Sequence, residues 1–87
     1  MPYAVEVLPS AQRQLAALPQ EAQRRIARKI DLLRENPRPP GAMLLHAEDR
    51  LYRLRVSDFR VIYTIEGRRL VVLVIRVGHR KDIYRDR

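Results

Sequence analysis

Apolar and polar residues alternate from Tyr3 to Leu8, with Tyr3, Val5 and Val7 set against Ala4 and Glu6. This two-residue period predicts a short strand. Pro9 stops it, and Ser10 is placed to cap a first helix through its hydroxyl. Ala11, Leu15 and Leu18 then follow a helical period. Pro19 breaks that helix and suits the first turn of the next. The second helix is predicted over about Gln20 to Glu35. Ala22, Ile26, Ile30 and Leu33 form its buried stripe, with Arg24, Arg25, Arg28 and Lys29 largely outside it. Asn36-Pro37 ends it, because the residue before proline avoids the helical region.

Arg38-Pro39-Pro40-Gly41 reads as a stiff surface loop. Three strands are predicted after it: Leu51 to Val56, Phe59 to Ile65 and Leu70 to Val77. Ser57-Asp58 makes the first turn and Gly67-Arg68 anchors the second. The third strand is apolar on both faces apart from Arg76, as an interior strand is. Gly78 is expected to break it, and Ile83-Tyr84 reads as a last short segment. The expected fold class is α+β. An N-terminal strand and an α-helical hairpin precede a three- to four-stranded, mostly antiparallel sheet, with both helices on one face.

Composition narrows the function. The chain has 87 residues and is read as one domain, 1–87. It has no cysteine, which removes disulfides and thiolate metal sites and suits a reducing compartment. No apolar run approaches the roughly 20 residues that span a bilayer, and no signal peptide is legible at Met1. No membrane association is therefore expected, and the cytoplasm is the expected location. Eighteen basic residues against ten acidic ones give a net charge of +8. Residues 49–87 hold eleven of the basic and five of the acidic groups, hence +6 of that total. All the basic residues except Lys29 and Lys81 are arginine, whose planar fork matches phosphate oxygens. A polyanionic partner follows, either nucleic acid or an acidic protein.

A two-residue turn at Ser57-Asp58 sets Val56 opposite Phe59, Arg55 opposite Arg60 and Leu54 opposite Val61. Tyr52, Leu54, Val56, Phe59, Val61 and Tyr63 then share the face beneath the helices. Arg53, Arg55 and Arg60 share the other. Like charges placed opposite each other cost a sheet up to ~1 kcal/mol. An anion held between them would remove that cost; a solvated arginine face is the plainer alternative. The segment Gly78-His79-Arg80-Lys81-Asp82-Ile83-Tyr84 is the second cluster. His79 is either a proton-transfer group or a turn residue. Tyr84 either stacks on a base or plugs the sheet edge. Lys81 and Arg85 suit backbone phosphate. His46, in the loop before the strands, has no partner in sequence. There is no glycine-rich phosphate loop, no Ser-His-Asp spacing and no metal-ligand set.

Along nearly its whole length the sequence resembles the RelE family of the RelE/ParE toxins. The resemblance is strongest over Leu51 to Tyr63 (LYRLRVSDFRVIY) and Val77 to Tyr84 (VGHRKDIY), with the Asn36 to Gly41 loop also typical. It implies a toxin of a type II toxin–antitoxin system that cleaves mRNA in the ribosomal A site and inhibits translation. It also implies a RelB-like acidic antitoxin in hetero-oligomeric complex. Arg53 and Arg55 look like the family's basic pair on the second strand, usually lysine. Arg60 and Arg80 look like its two phosphate-binding arginines, and Tyr84 like its tyrosine beside the scissile nucleotide. Arginine is a poor general base, which moves weight to His79. The catalytic set is thus Arg55, Arg60, His79, Arg80 and Tyr84, and the RNA-binding set Arg53, Lys81 and Arg85. No cofactor or metal is expected. The alternatives are a ParE-like inhibitor of DNA gyrase and a non-catalytic RNA- or protein-binding module on the same fold.

Overall fold

The computed structural model describes residues 2–83. The chain runs β1 (Ala4–Val7), α1 (Pro9–Ala16), α2 (Gln20–Leu32), β2 (Ala42–His46), β3 (Leu51–Val56), β4 (Phe59–Glu66) and β5 (Val71–His79). The five strands form one sheet in the order β1-β5-β4-β3-β2. Among the described residues only the β1–β5 pair is parallel.

The β3–β4 register is the predicted one: Arg55 opposite Arg60, Leu54 opposite Val61 and Val56 opposite Phe59. The helices cover the expected face. Ala11, Ile26 and Leu33 are fully buried against Leu54, Val61, Tyr63, Val72 and Val74. Each such aliphatic side chain contributes about 1.5–3 kcal/mol by leaving water. On β5 the alternation slips once. Ile62 pairs with Arg76 but Tyr63 pairs with Val74, so Ile75 is an extra residue. This bulge turns both Val74 and Val77 toward the helices, where plain alternation would have put them on opposite faces.

Several local expectations are corrected. α1 begins at Pro9, whose fixed φ and missing N–H suit a first helical position, and Ser10 is inside the helix instead of capping it. α2 ends at Leu32, followed by turns up to Glu35. The fourth strand of the later sheet lies at Ala42–His46, a segment read as loop. It exists because it can pair with β3, which no local pattern announces. Gly78 does not end β5, because β4 still offers partners: Gly78 pairs with Arg60 and His79 with Phe59. Residues 80–83 form a turn; Tyr84 lies outside the described residues.

The loop between α2 and β2 is held by aromatic contacts. Tyr63, fully buried, donates its hydroxyl to the Pro37 carbonyl at 2.7 Å and stacks on Tyr52 with ring centroids 5.6 Å apart. The Arg38 Nε donates to the Tyr52 hydroxyl at 2.9 Å. Gly41 takes φ 94°, a conformation glycine adopts freely, and its carbonyl accepts the Arg55 N–H at 3.2 Å. The loop is therefore tied to the strand that carries Arg55.

Burial raises the Tyr63 phenol to about 12 from its ordinary 10.0. The neutral form is favoured in the folded state, so its contribution to stability is complete below pH 10 and is lost as the pH rises toward 12. Tyr63→Phe should remove that decline. It should also cost about 1–3 kcal/mol at neutral pH by leaving the Pro37 carbonyl unpaired. Urea denaturation of both proteins across this pH range checks the two effects together.

Candidate RNA-binding groove

The β3–β4 turn is the corner on which the site is built. Ser57 sits in the left-handed region at φ 58°. The turn's carbonyls point to the arginines around it. The Ser57 and Phe59 carbonyls accept from Arg60 Nη1 at 3.1 and 2.9 Å. The Asp58 carbonyl accepts the Arg80 backbone N–H at 2.8 Å, and its carboxylate lies 3.8 Å from Arg80 Nε. One two-residue turn thus holds an arginine from the adjoining strand and another from the turn that follows β5.

Arg80 is reached by a second device. After His79 the chain reverses, with the His79 carbonyl accepting both the Asp82 and Ile83 N–H groups. Ile83, 3% exposed, then packs beside Gly78. A methyl group on Gly78 would stand 3.3 Å from Ile83 Cδ1, so the missing side chain makes the seat. Arg76 Nη1 donates to the Ile83 carbonyl at 3.0 Å. The sheet face opposite the helices is thus partly covered, with Ile62 and Ile83 buried there.

Between α2 and the β3–β4 turn lies a groove of about 830 Å³. Arg55, Arg60 and Arg80 line it, as do Arg25, Arg28 and Lys29 of α2; among the described residues Asp58 is its one carboxylate. Six cations facing one carboxylate make a strong anion trap, and low-dielectric walls focus its field. Its chemistry is charge neutralisation: guanidiniums present rigid donor pairs to phosphate and stay protonated at any physiological pH.

The other described site candidates lie elsewhere. His79 does not line the groove. Because β5 continues through Gly78, His79 pairs with Phe59 on the helix-covered side and meets its ring edge-on at 5.6 Å. Its Nδ1 accepts the Lys81 N–H at 3.1 Å, so that nitrogen is engaged. Arg53 pairs with Ile62 one row further along the sheet, and its Nε is buried without a hydrogen-bond partner. Lys81 is exposed outside the groove. Tyr84 and Arg85 lie outside the described residues. The sequence reading placed the α2 cations outside the buried stripe and gave them no part in a site, although they supply three of the groove's cations. The available signal was their i, i+3, i+4 spacing at positions 25, 28 and 29, which puts them on one stripe of the helix.

The molecule is thus a helical hairpin on a small mixed sheet, with a cationic groove at one end. A family model described as the ParE toxin of type II toxin–antitoxin system, parDE, matches residues 5–84. The chain is 33% identical over 87 residues to toxin RelG of Mycobacterium tuberculosis, covering 98% of this chain and 99% of the relative. Its structure superposes with a TM-score of 0.82 on a chain of the archaeal RelE–RelB complex from Pyrococcus horikoshii, at 28% identity, covering 92% of this chain and 97% of that one. For the RelBE2 toxin–antitoxin complex of M. tuberculosis the TM-score is 0.80 at 25% identity, covering 91% and 99%. The chain belongs to the RelE/ParE family of type II toxin–antitoxin toxins.

Gly78→Val should push Ile83 from its seat and loosen the turn that carries Arg80. The expected cost is about 1–3 kcal/mol, typical of overpacking. Ile83→Ala introduced into the Gly78→Val protein should recover part of the loss. Denaturant midpoints of the single and double variants measure both steps.

Proposed function

We propose that the protein is an mRNA interferase, an endoribonuclease that cuts translated messages in the ribosomal A site and so inhibits translation. The observation that carries this reading is the meeting of Arg55, Arg60 and Arg80 in one groove, with three further cations opposite them. In the proposed reaction the ribose 2′-oxygen attacks the adjacent phosphorus in line. The bond to the 5′-oxygen breaks, and the product is a 2′,3′-cyclic phosphate. The nucleophile gives its proton to solvent or a neighbouring base, and the leaving oxygen takes one up. Arg55, Arg60 and Arg80 neutralise the charge that grows on the phosphoryl oxygens, and the step uses no metal or cofactor. RNA is required because DNA lacks the nucleophile.

Among the described residues, no group lining the groove is an obvious strong base. Asp58 is occupied by Arg80, and His79 is on the other side of the sheet. Rate then depends on holding the strand in the in-line geometry, a task assigned here to the ribosome. Tyr84 remains in the proposal as the residue beside the scissile nucleotide, and Arg53, Lys81 and Arg85 as contacts to the strand's backbone. An acidic, RelB-like antitoxin is the proposed partner in a hetero-oligomer. Its carboxylates would oppose the +8 chain, and the exposed Met43, Leu44 and Leu45 of edge strand β2 offer it apolar surface.

Primer extension on a translated message should reveal cuts within the reading frame. Arg80→Ala should lower cutting by on the order of 100- to 1000-fold, as loss of one charge-stabilising donor does in comparable sites. Double-stranded DNA breaks with intact messages would replace this reading with the gyrase one, which the family-model match keeps in view.

A further inference from the structure

The α2 wall of the groove differs from the rest of its helix. Away from the groove, Arg24 pairs with Glu21 at 4.0 Å and Arg34 with Asp31 at 2.8 Å. Among the described residues Arg28 and Lys29 have no ion pair or hydrogen bond, and Arg25 reaches only the Ser57 hydroxyl, at 3.5 Å. Like charges three and four residues apart on a helix repel by about 0.2–0.5 kcal/mol per pair. The helix therefore spends its carboxylates on the outer arginines and leaves the inner three cations uncompensated, facing the groove. From Arg25 to Lys29 the helix rises about 6 Å, comparable to the step between neighbouring phosphates of an extended single strand.

We propose that Arg25, Arg28 and Lys29 form a binding wall for the phosphodiester backbone that flanks the scissile phosphate on the same RNA strand. The proposal rests on the groove being an RNA site, as argued above. Arg55, Arg60 and Arg80 take the reacting phosphate, and the α2 wall takes its neighbours, fixing the direction in which the strand crosses the β3–β4 turn. The ligand class is single-stranded RNA, held through its backbone and without base preference at this wall.

The test uses the intact protein and 2′-O-methyl RNA, which keeps the phosphates but lacks the free nucleophile. Fluorescence anisotropy compares a dinucleotide with a decamer. Wild type should bind the decamer much more tightly. Arg25→Ala/Arg28→Ala/Lys29→Ala should lose most of that length-dependent gain, with decamer affinity falling on the order of tenfold and dinucleotide affinity falling several-fold less. The slope of log affinity against log salt should shrink by about 2, for three phosphates at roughly 0.7 each. A matched loss in Arg24→Ala/Arg34→Ala would overturn the proposal, since net charge alone would then explain it. So would unchanged decamer binding in the triple variant, even if its binding to ribosomes weakened. Alanine favours helix, and an unchanged far-ultraviolet spectrum confirms that the triple variant folds. Primer extension run in parallel separates the two readings. Wild type that cuts no message, yet shows decamer binding lost in the triple variant, would sink the nuclease reading and support the wall. Normal cutting with no effect of the triple substitution on decamer binding would do the reverse.

Discussion

Arg55 and Arg60 stand directly opposite each other across the β3–β4 hairpin, and the groove depends on the register that puts them there. The pairing is unfavourable in isolation. Apolar burial on the other face enforces it. Leu54, Val56 and Val61 lie beneath the helices, and a slip of one residue would carry them into water while bringing the arginines into the core. The repulsion between two guanidiniums is small beside that exchange. The hydrophobic core thus holds two cations where an anion can meet both.

The rest of the groove is assembled by chain reversals that use the same corner. The Ser57-Asp58 turn binds Arg60 through carbonyls and Arg80 through a backbone hydrogen bond and a carboxylate. The bulge at Ile75 keeps Val77 in the core and turns Gly78 toward the face of Arg60, where Ile83 needs its empty space. Among the groove's cations only Arg25, Arg28 and Lys29 owe their placement to a helix. They follow the buried Ile26 and Ile30, which set the rotation of α2 on the sheet. Core packing and site geometry are one set of constraints here, so substitutions far from the groove are expected to reach it through Gly78, Ile83 or the turn.

What was legible in the sequence followed from local chemistry. The two-residue turn at Ser57-Asp58 and the alternation on either side of it were enough to set the hairpin's register and bring Arg55 to Arg60. The helical stripe Ala22, Ile26, Ile30 and Leu33 was enough to orient α2. What was illegible depended on contacts between distant segments. Ala42–His46 is apolar without alternation, and only pairing with β3 makes it a strand. Gly78 looked like a terminator because glycine weakens strands, yet β4 continues to pair with it. That one error moved His79 from the groove to the far side of the sheet. Arg25, Arg28 and Lys29 resembled any solvated helix face; their lack of carboxylate partners became visible only once Glu21 and Asp31 were seen to serve Arg24 and Arg34.

A groove built from guanidiniums carries a consequence for control. A guanidinium is not deprotonated in a folded protein, so loss of a proton is no route to switching off a groove built from arginines. Proton uptake at a histidine, the usual switch near neutrality, has no direct purchase, because His79 lies across the sheet from them. Two routes to silence remain: a polyanion that competes for the cations, or a body that blocks the space between α2 and the β3–β4 turn. The acidic partner of the proposed function would supply both at once. The permanence of the charge is thus a physical reason for the proposed control by a second chain.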